Sequence, residues 1–262
     1  MSLNNLFSLE GKVALVTGGS RGIGKIIAKG FIEQGAKVYI SSRKAPACDE
    51  TAAELGPNCI PLPMDVSTVD GCKALAAKLA EHEDHLDILV NNAGAAWGEP
   101  FEQFPEAGWD KVMDLNVKSP FFLTQALYGM LKARANYDAP SKVINITSID
   151  GLRLNPWETY SYHASKSALI YLTKRMAARL VKDAIIVTSL APGAFASEMN
   201  RAARDHGDAV AKGIPMRRIG NFEDMAGAAI FLASRASDYV VGDTLVVDGG
   251  LVNAQLGTSI EG

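Results

Sequence analysis

Val13-Ala14-Leu15-Val16-Thr17-Gly18-Gly19-Ser20-Arg21-Gly22-Ile23-Gly24 decides the fold. A continuous apolar run ends on a glycine-rich loop, and the loop opens a helical pattern over Arg21–Gln34. Gly18 allows a sharp turn, Gly22 lets backbone approach a pyrophosphate, and Gly24 lets helix and strand pack closely. The free N–H groups at such a helix start face an anion, and the helix dipole adds to the attraction. A plain strand-to-helix turn has similar letters. Position selects the phosphate loop, because it follows the first strand of a βαβ unit whose second strand ends at Ser41-Ser42-Arg43. Gly18, Ser20, Arg21, Gly22, Ile23 and Gly24 are therefore candidate contacts of a dinucleotide.

A site for NAD carries an acid after the second strand, to accept hydrogen bonds from the ribose hydroxyls. Here that place holds Ser42 and Arg43, and Arg21 sits inside the loop. Two guanidinium groups and a hydroxyl suit a 2′-phosphate, so NADP is the expected cofactor. The alternative for Arg43 is a solvated charge at a strand end.

Outward from the loop, β-branched runs at Lys12–Thr17, Lys37–Ser42, Ile88–Asn91, Lys142–Thr147, Ala184–Leu190 and Thr244–Val247 read as strands. Several are apolar throughout, as strands covered on both faces are. Helical patterns at Arg21–Gln34, Thr68–His82, Trp109–Lys132, Thr159–Val181 and Phe222–Ala233 alternate with them. The alternation predicts a doubly wound α/β fold with a parallel sheet. Leu169, Leu172, Met176 and Leu180 share a helix face and read as core. With 262 residues and no linker or repeat, one domain over 1–262 is expected. The stretch 195–215 reads as a short helical flap over the strand ends.

Composition narrows the function. A net charge of −3 supplies no field for holding a nucleic-acid backbone. The longest uncharged stretch, Ala184 to Ser197, is broken by Pro192 and Gly193 and is shorter than the ~20 residues a bilayer needs. Met1–Glu10 lacks the basic start and apolar run of a secretory signal. Cys48, Cys59 and Cys72 form no paired motif, which fits a reducing cytoplasm. His82 and His85 lie in a charged stretch that reads as a solvated helix end, and no metal is expected.

The chemistry gathers at Tyr162-His163-Ala164-Ser165-Lys166. Four residues place Tyr162 and Lys166 on one helix face, about 6 Å apart along the axis. An ammonium near a phenol favours the phenolate, so Lys166 is expected to pull the Tyr162 pKa down toward working pH and make it a usable acid or base. Ser148 ends the strand Lys142–Thr147, fourteen residues before Tyr162, where open sheets bind their ligands. Asn116, in Leu115-Asn116-Val117, is a further polar group among apolar neighbours.

With these residues in place, the chain resembles the short-chain dehydrogenase/reductase family from about Gly11 to Gly250. The motifs are Thr17–Gly24, Asp65-Val66, Asn91-Asn92-Ala93-Gly94, Asn116, Ser148, Tyr162 with Lys166, Pro192-Gly193 and Asp248-Gly249-Gly250. The resemblance implies that Tyr162 gives a proton to a carbonyl oxygen, Ser148 hydrogen-bonds that oxygen, and Lys166 holds the nicotinamide ribose. The region of the Asn116 carbonyl is implied to fix a water that relays protons to Lys166. Asp65 with Val66 is implied beside adenine, Asn92, Ala93 and Gly94 along the cofactor, and Pro192, Gly193 and Phe195 beside nicotinamide. Thr188, Arg217 and Phe222 depart from common family letters, where Asn, Gly and Pro are frequent.

Within the family the nearest resemblance is to 3-oxoacyl-[acyl-carrier-protein] reductases, including the rhamnolipid-associated branch, through Leu86–Gly94 and Ile214-Pro215-Met216. That implies reduction of a 3-oxoacyl thioester, with Trp97, Leu152, Leu154, Trp157, Phe195 and Met199 as acyl-pocket candidates or as core or subunit contacts. Lys132, Arg134 and Lys182, at helix ends, are candidates for docking an acidic carrier or are simply solvated charges. An NADP-dependent reductase or dehydrogenase of another ketone or secondary alcohol uses the same machinery. A regulator that senses NADPH keeps the glycine loop and lacks the acid/base set that this chain has. The family resemblance implies a homotetramer. The tail from Val252 to Gly262 either reaches a neighbouring subunit or hangs loose.

Overall fold

A computed structural model describes residues 5–255. Seven parallel strands form one sheet in the order β3-β2-β1-β4-β5-β6-β7. They are β1 (Val13–Thr17), β2 (Lys37–Ser41), β3 (Cys59–Pro61), β4 (Ile88–Asn91), β5 (Ser141–Ile146), β6 (Ile185–Pro192) and β7 (Thr244–Val247). The order reverses between β1 and β4, the switch point where doubly wound sheets bind their ligands. The expected Rossmann-type fold is thus the observed one.

Helices cover both faces. On one side α1 (Gly22–Glu33) and α10 (Phe222–Ala233) bury Ile27, Phe31, Met225 and Leu232 against Val16, Ile40 and Ile144. On the other, α3 (Val69–Ala80), α5 (Ser119–Ala126) and α7 (Tyr160–Leu180) pack Leu75, Leu123 and Met176 against Leu15, Leu89 and Val143. Alternate residues of β1 therefore serve opposite layers, which is why its sequence is apolar throughout. The stripe on α7 is core as expected: Leu169 and Met176 are buried, and Leu172 and Leu180 pack against the second layer.

Three features depart from the expected elements. The short edge strand β3 and the helix α2 (Ala45–Leu55) lie between the second strand and α3. The single helix expected over Trp109–Lys132 is α4 (Glu106–Met113), a π-helical turn (Asp114–Lys118), α5 and α6 (Tyr128–Lys132). Ser119 N–H reaches back five residues to the Asp114 carbonyl, and this shifts the register of every side chain that follows. The stretch 195–215 does hold two short helices, α8 (Arg201–Asp205) and α9 (Gly207–Ala211).

Among the described residues, no helix is long and apolar enough to cross a membrane. The reading of His82 and His85 as a solvated helix end is corrected for one of them: His82 is exposed and stacks on Tyr39, but His85 is buried past the end of α3, its ring nitrogens facing Asp84 at 2.7 Å and Asp87 at 3.2 Å. The tail beyond residue 255 lies outside the described residues.

Candidate active site

The carboxyl ends of the central strands open onto one cleft of about 640 Å³. The glycine loop forms its floor. Gly18 has φ +65°, and its N–H donates to Ser41 O at 2.6 Å. A Cβ at Gly24 would stand 2.3 Å from the Gly18 carbonyl oxygen, so only glycine lets α1 start this close to β1. Arg21, at the N-cap of α1, makes no side-chain cap. The first N–H groups of α1 thus stay available to a ligand anion. Gly18, Ser20, Arg21, Gly22, Ile23 and Gly24 all line the cleft.

Ser42 and Arg43 line the same end of the cleft, and Ser42 Oγ meets Cys48 Sγ at 3.0 Å. Thr51, one turn along α2, donates to Ser20 O at 2.9 Å. The helix missed from the sequence therefore holds the loop and the end of β2 together. Asp65 and Val66 line the next section, where Asp65 Oδ1 accepts from Ser67 N–H. Asn92, Ala93 and Gly94 line the opposite wall, and the Asn92 amide donates to Thr17 O at 2.9 Å and Gly18 O at 3.2 Å. Pro192, Gly193 and Phe195 close the far side. Gly193 is forced by Asp248, whose Cα would stand 2.7 Å from a Cβ there.

Ser148, Tyr162 and Lys166 converge in this cleft from the end of β5 and the start of α7. Lys166 Nζ donates to Ile146 O at 2.9 Å and stands 5.4 Å from the centroid of the Tyr162 ring. Burial pushes the Tyr162 phenol up to about 12; the Ser148 hydroxyl works against this, and the Asp150 charge adds to it. Burial also pushes the Lys166 amine down to about 8. The expectation that Lys166 lowers the Tyr162 pKa is corrected here. The ammonium is turned to a backbone carbonyl and the ring face, and loss of water dominates both groups.

Asn116 does not line the cleft. It is buried within the π-helical turn, behind Gly94, and a Cβ on Gly94 would stand 3.2 Å from its Oδ1. Its Oδ1 accepts from Ala95 N–H at 2.8 Å, and its Nδ2 donates to Ala95 O at 2.9 Å and Ser165 Oγ at 3.0 Å. The side chain thus ties the strand-end loop to α7 one residue before Lys166. Beneath it, Asn91 donates to Asn145 at 2.9 Å, and Asn145 donates to Thr173 at 2.9 Å.

Of the acyl-pocket candidates, Trp157 and Met199 line the cleft and are largely exposed. Phe195 lines it too but is packed in the core layer of α1 and α10. Trp97 packs against Gly108 under Lys111, and Leu152 and Leu154 project to the outside, with Leu154 83% exposed. The carrier-docking candidates are corrected as well. Lys132 and Arg134 precede β5 and Lys182 precedes β6, which places them at the amino edge of the sheet, away from the Tyr162 site. Lys132 pairs with Asp183 at 2.8 Å and Arg134 with Asp84 at 2.9 Å. Sequence reading also passed over Asp150, two residues past Ser148, although its charge beside a candidate catalytic hydroxyl was a usable signal.

A dinucleotide crevice at the switch point, joined to a Ser–Tyr–Lys cluster, defines an oxidoreductase of the CH–OH/C=O type. The family model described as enoyl-(acyl carrier protein) reductase matches residues 18–252, and the chain belongs to the short-chain dehydrogenase/reductase family. It is 45% identical over 249 residues to the rhamnolipids biosynthesis 3-oxoacyl-[acyl-carrier-protein] reductase of Pseudomonas aeruginosa, covering 93% of this chain and 97% of that one. The solved Pseudomonas aeruginosa RhlG/NADP active-site complex aligns with a TM-score of 0.91 at 44% identity, over 95% of this chain and 99% of that one. A gluconate 5-dehydrogenase from Burkholderia cenocepacia, solved with NADP and tartrate, aligns with a TM-score of 0.86 at 36% identity, over 96% and 99%.

Proposed function

We propose that the chain is an NADPH-dependent carbonyl reductase whose substrate is a 3-oxoacyl thioester. The observation that carries the substrate class is the apolar mouth: Trp157 is 66% and Met199 53% exposed beside Ser148 and Tyr162, a surface that suits an acyl chain better than a polyol. The 45% identity to a relative named as a 3-oxoacyl reductase supports the same reading. Relatives named as gluconate dehydrogenases make an oxo-sugar the competing substrate.

For the cofactor, the uncapped start of α1 and the tight cradle at Gly24 fit a pyrophosphate, and Arg21, Ser42 and Arg43 fit a 2′-phosphate. Solved relatives that hold NADP support this assignment. Asp65 and Val66 would flank the adenine; Asn92, Ala93, Gly94, Pro192, Gly193 and Phe195 would flank the rest. The reduced dinucleotide supplies the hydride.

Tyr162 gives its phenolic proton to the carbonyl oxygen as negative charge develops there. A phenol pushed up to about 12 stays protonated at neutral pH and is ready to act as the acid. Ser148 donates a hydrogen bond to the same oxygen, and Lys166 offsets the charge left on Tyr162. Asn116 is a positioning residue that fixes the loop after β4 against α7. The stretch 195–215, with α8 and α9, acts as a flap over the substrate.

A homotetramer is part of the reading. Its support is a second cavity of about 390 Å³ between α5 and α7, lined by Phe121, Tyr128, Leu172 and Met176, which suits a second copy of this chain. The free state of Cys48, Cys59 and Cys72 supports a cytoplasmic setting.

The test is steady-state reduction with NADPH of 3-oxoacyl thioesters of increasing chain length, set against 5-ketogluconate. The expected result is a kcat/KM that rises with acyl length and exceeds that for the sugar acid. Preference for the sugar acid refutes the thioester reading.

A further inference from the structure

Asp150 lies in the short 3₁₀ turn Ile149–Gly151, and its N–H donates to Ser148 Oγ at 3.1 Å. The turn is pressed onto α7. Ser167 Oγ donates to Gly151 O at 2.9 Å, and a Cβ at Gly151 would stand 2.7 Å from the Lys166 carbonyl carbon. The position of Asp150 is therefore fixed relative to Tyr162 and Lys166. Its side chain is half-buried and lines the cleft. Among the described residues its carboxylate has no hydrogen-bond or ion-pair partner, whereas most aspartates of this chain are paired.

Two of the other charges that line the cleft are engaged elsewhere. Lys166 is held by the Ile146 carbonyl, and Glu198 by Arg204. Arg201 belongs to the flap, whose Ser197 faces Gly22 on the phosphate-loop side. The Asp150 charge favours the protonated form of both Tyr162 and Lys166, which marks its reach into the reacting end of the cleft.

We propose that Asp150 is a specificity-determining residue: its unpaired carboxylate beside Ser148 and Tyr162 excludes ketones that carry a negative charge close to the reacting carbonyl, and it admits their uncharged ester and thioester counterparts. Like charges brought together in a partly dried cleft repel far more than in water, and such a repulsive element sets selectivity without adding any contact to the favoured substrate. Among relatives that include dehydrogenases of sugar acids, this residue would turn the pocket away from free acids. The proposal rests on the carbonyl-reductase reading and does not depend on the length of the acyl chain.

The test compares ethyl 3-oxobutanoate with 3-oxobutanoate at pH 7, two ketones with the same acyl skeleton that differ by one charge. Wild type is expected to favour the ester in kcat/KM by roughly tenfold or more. In D150N that ratio falls at least about tenfold toward unity, and D150E retains it. Calorimetric titration of 3-hydroxybutanoate into the dinucleotide-saturated protein is expected to show tighter binding in D150N than in wild type. An enzyme that takes the free acid as readily as the ester, or an unchanged ratio in D150N, overturns the proposal. Failure of the thioester reading looks different: no 3-oxoacyl thioester is reduced at any length, whatever stands at position 150.

Discussion

Lys166 Nζ donates to the Ile146 carbonyl at 2.9 Å and lies over the Tyr162 ring, so the amine bridges the end of β5 and the face of the phenol. Burying an amine there has a cost that pH reveals. Its folded value of about 8 lies below the unfolded value near 10.5, so between these limits the folded protein has released a proton that the unfolded chain still holds. Stability from this group therefore rises with pH across that window, by about 3 kcal/mol in full, and the penalty is present below pH 8. In Lys166→Met that rise is lost. Urea unfolding of the cofactor-free protein at pH 7 and pH 9.5 checks this, and parallel curves for the two proteins would contradict it.

Arg43 and Ser42 stand where an acid serves NAD enzymes, with Arg21 across the same end of the cleft. Arg43→Ala is expected to weaken NADPH binding about tenfold or more and to leave NADH binding nearly unchanged, because a charge-assisted pair is lost only with the 2′-phosphate. Dissociation constants from NAD(P)H fluorescence decide the matter. Equal losses for both cofactors would assign Arg43 to the surface.

Arg217 adopts φ +57°, the left-handed region that costs an ordinary residue about 1 kcal/mol. Its guanidinium donates to Lys212 O at 2.6 Å. Arg217→Gly is expected to stabilise the fold by up to about 0.5 kcal/mol, the relieved strain less about 0.5–1 kcal/mol for the greater freedom of glycine in the unfolded chain. Chemical denaturation measures it, and a loss of stability would mean that the Lys212 bond outweighs the strain.

What could be read from the letters follows from how local the cause is. β1, the glycine loop and the Tyr162–Lys166 spacing are legible because each is dictated within a few residues. The edge strand β3 has only three residues, too few for a period. Helix α2 has no side-chain cap at its N-cap Lys44 and buries only Cys48, Thr51 and Ala52. The π-helical turn at Asp114–Lys118 has no signature in its letters, yet it is what sets Asn116 behind Gly94 rather than in the cleft. The pKa of Tyr162 is not legible for a related reason, since spacing reports that an amine is near while the folded surroundings decide where it points and how dry it is.

The central claim is that the Tyr162 phenol supplies the proton in carbonyl reduction, and Tyr162→Phe tests it most directly because the ring is kept and only the transferable proton is removed. Single-turnover reduction of a 3-oxoacyl thioester with NADPH is expected to slow by several orders of magnitude, with NADPH affinity retained. Turnover near the wild-type rate would contradict the account.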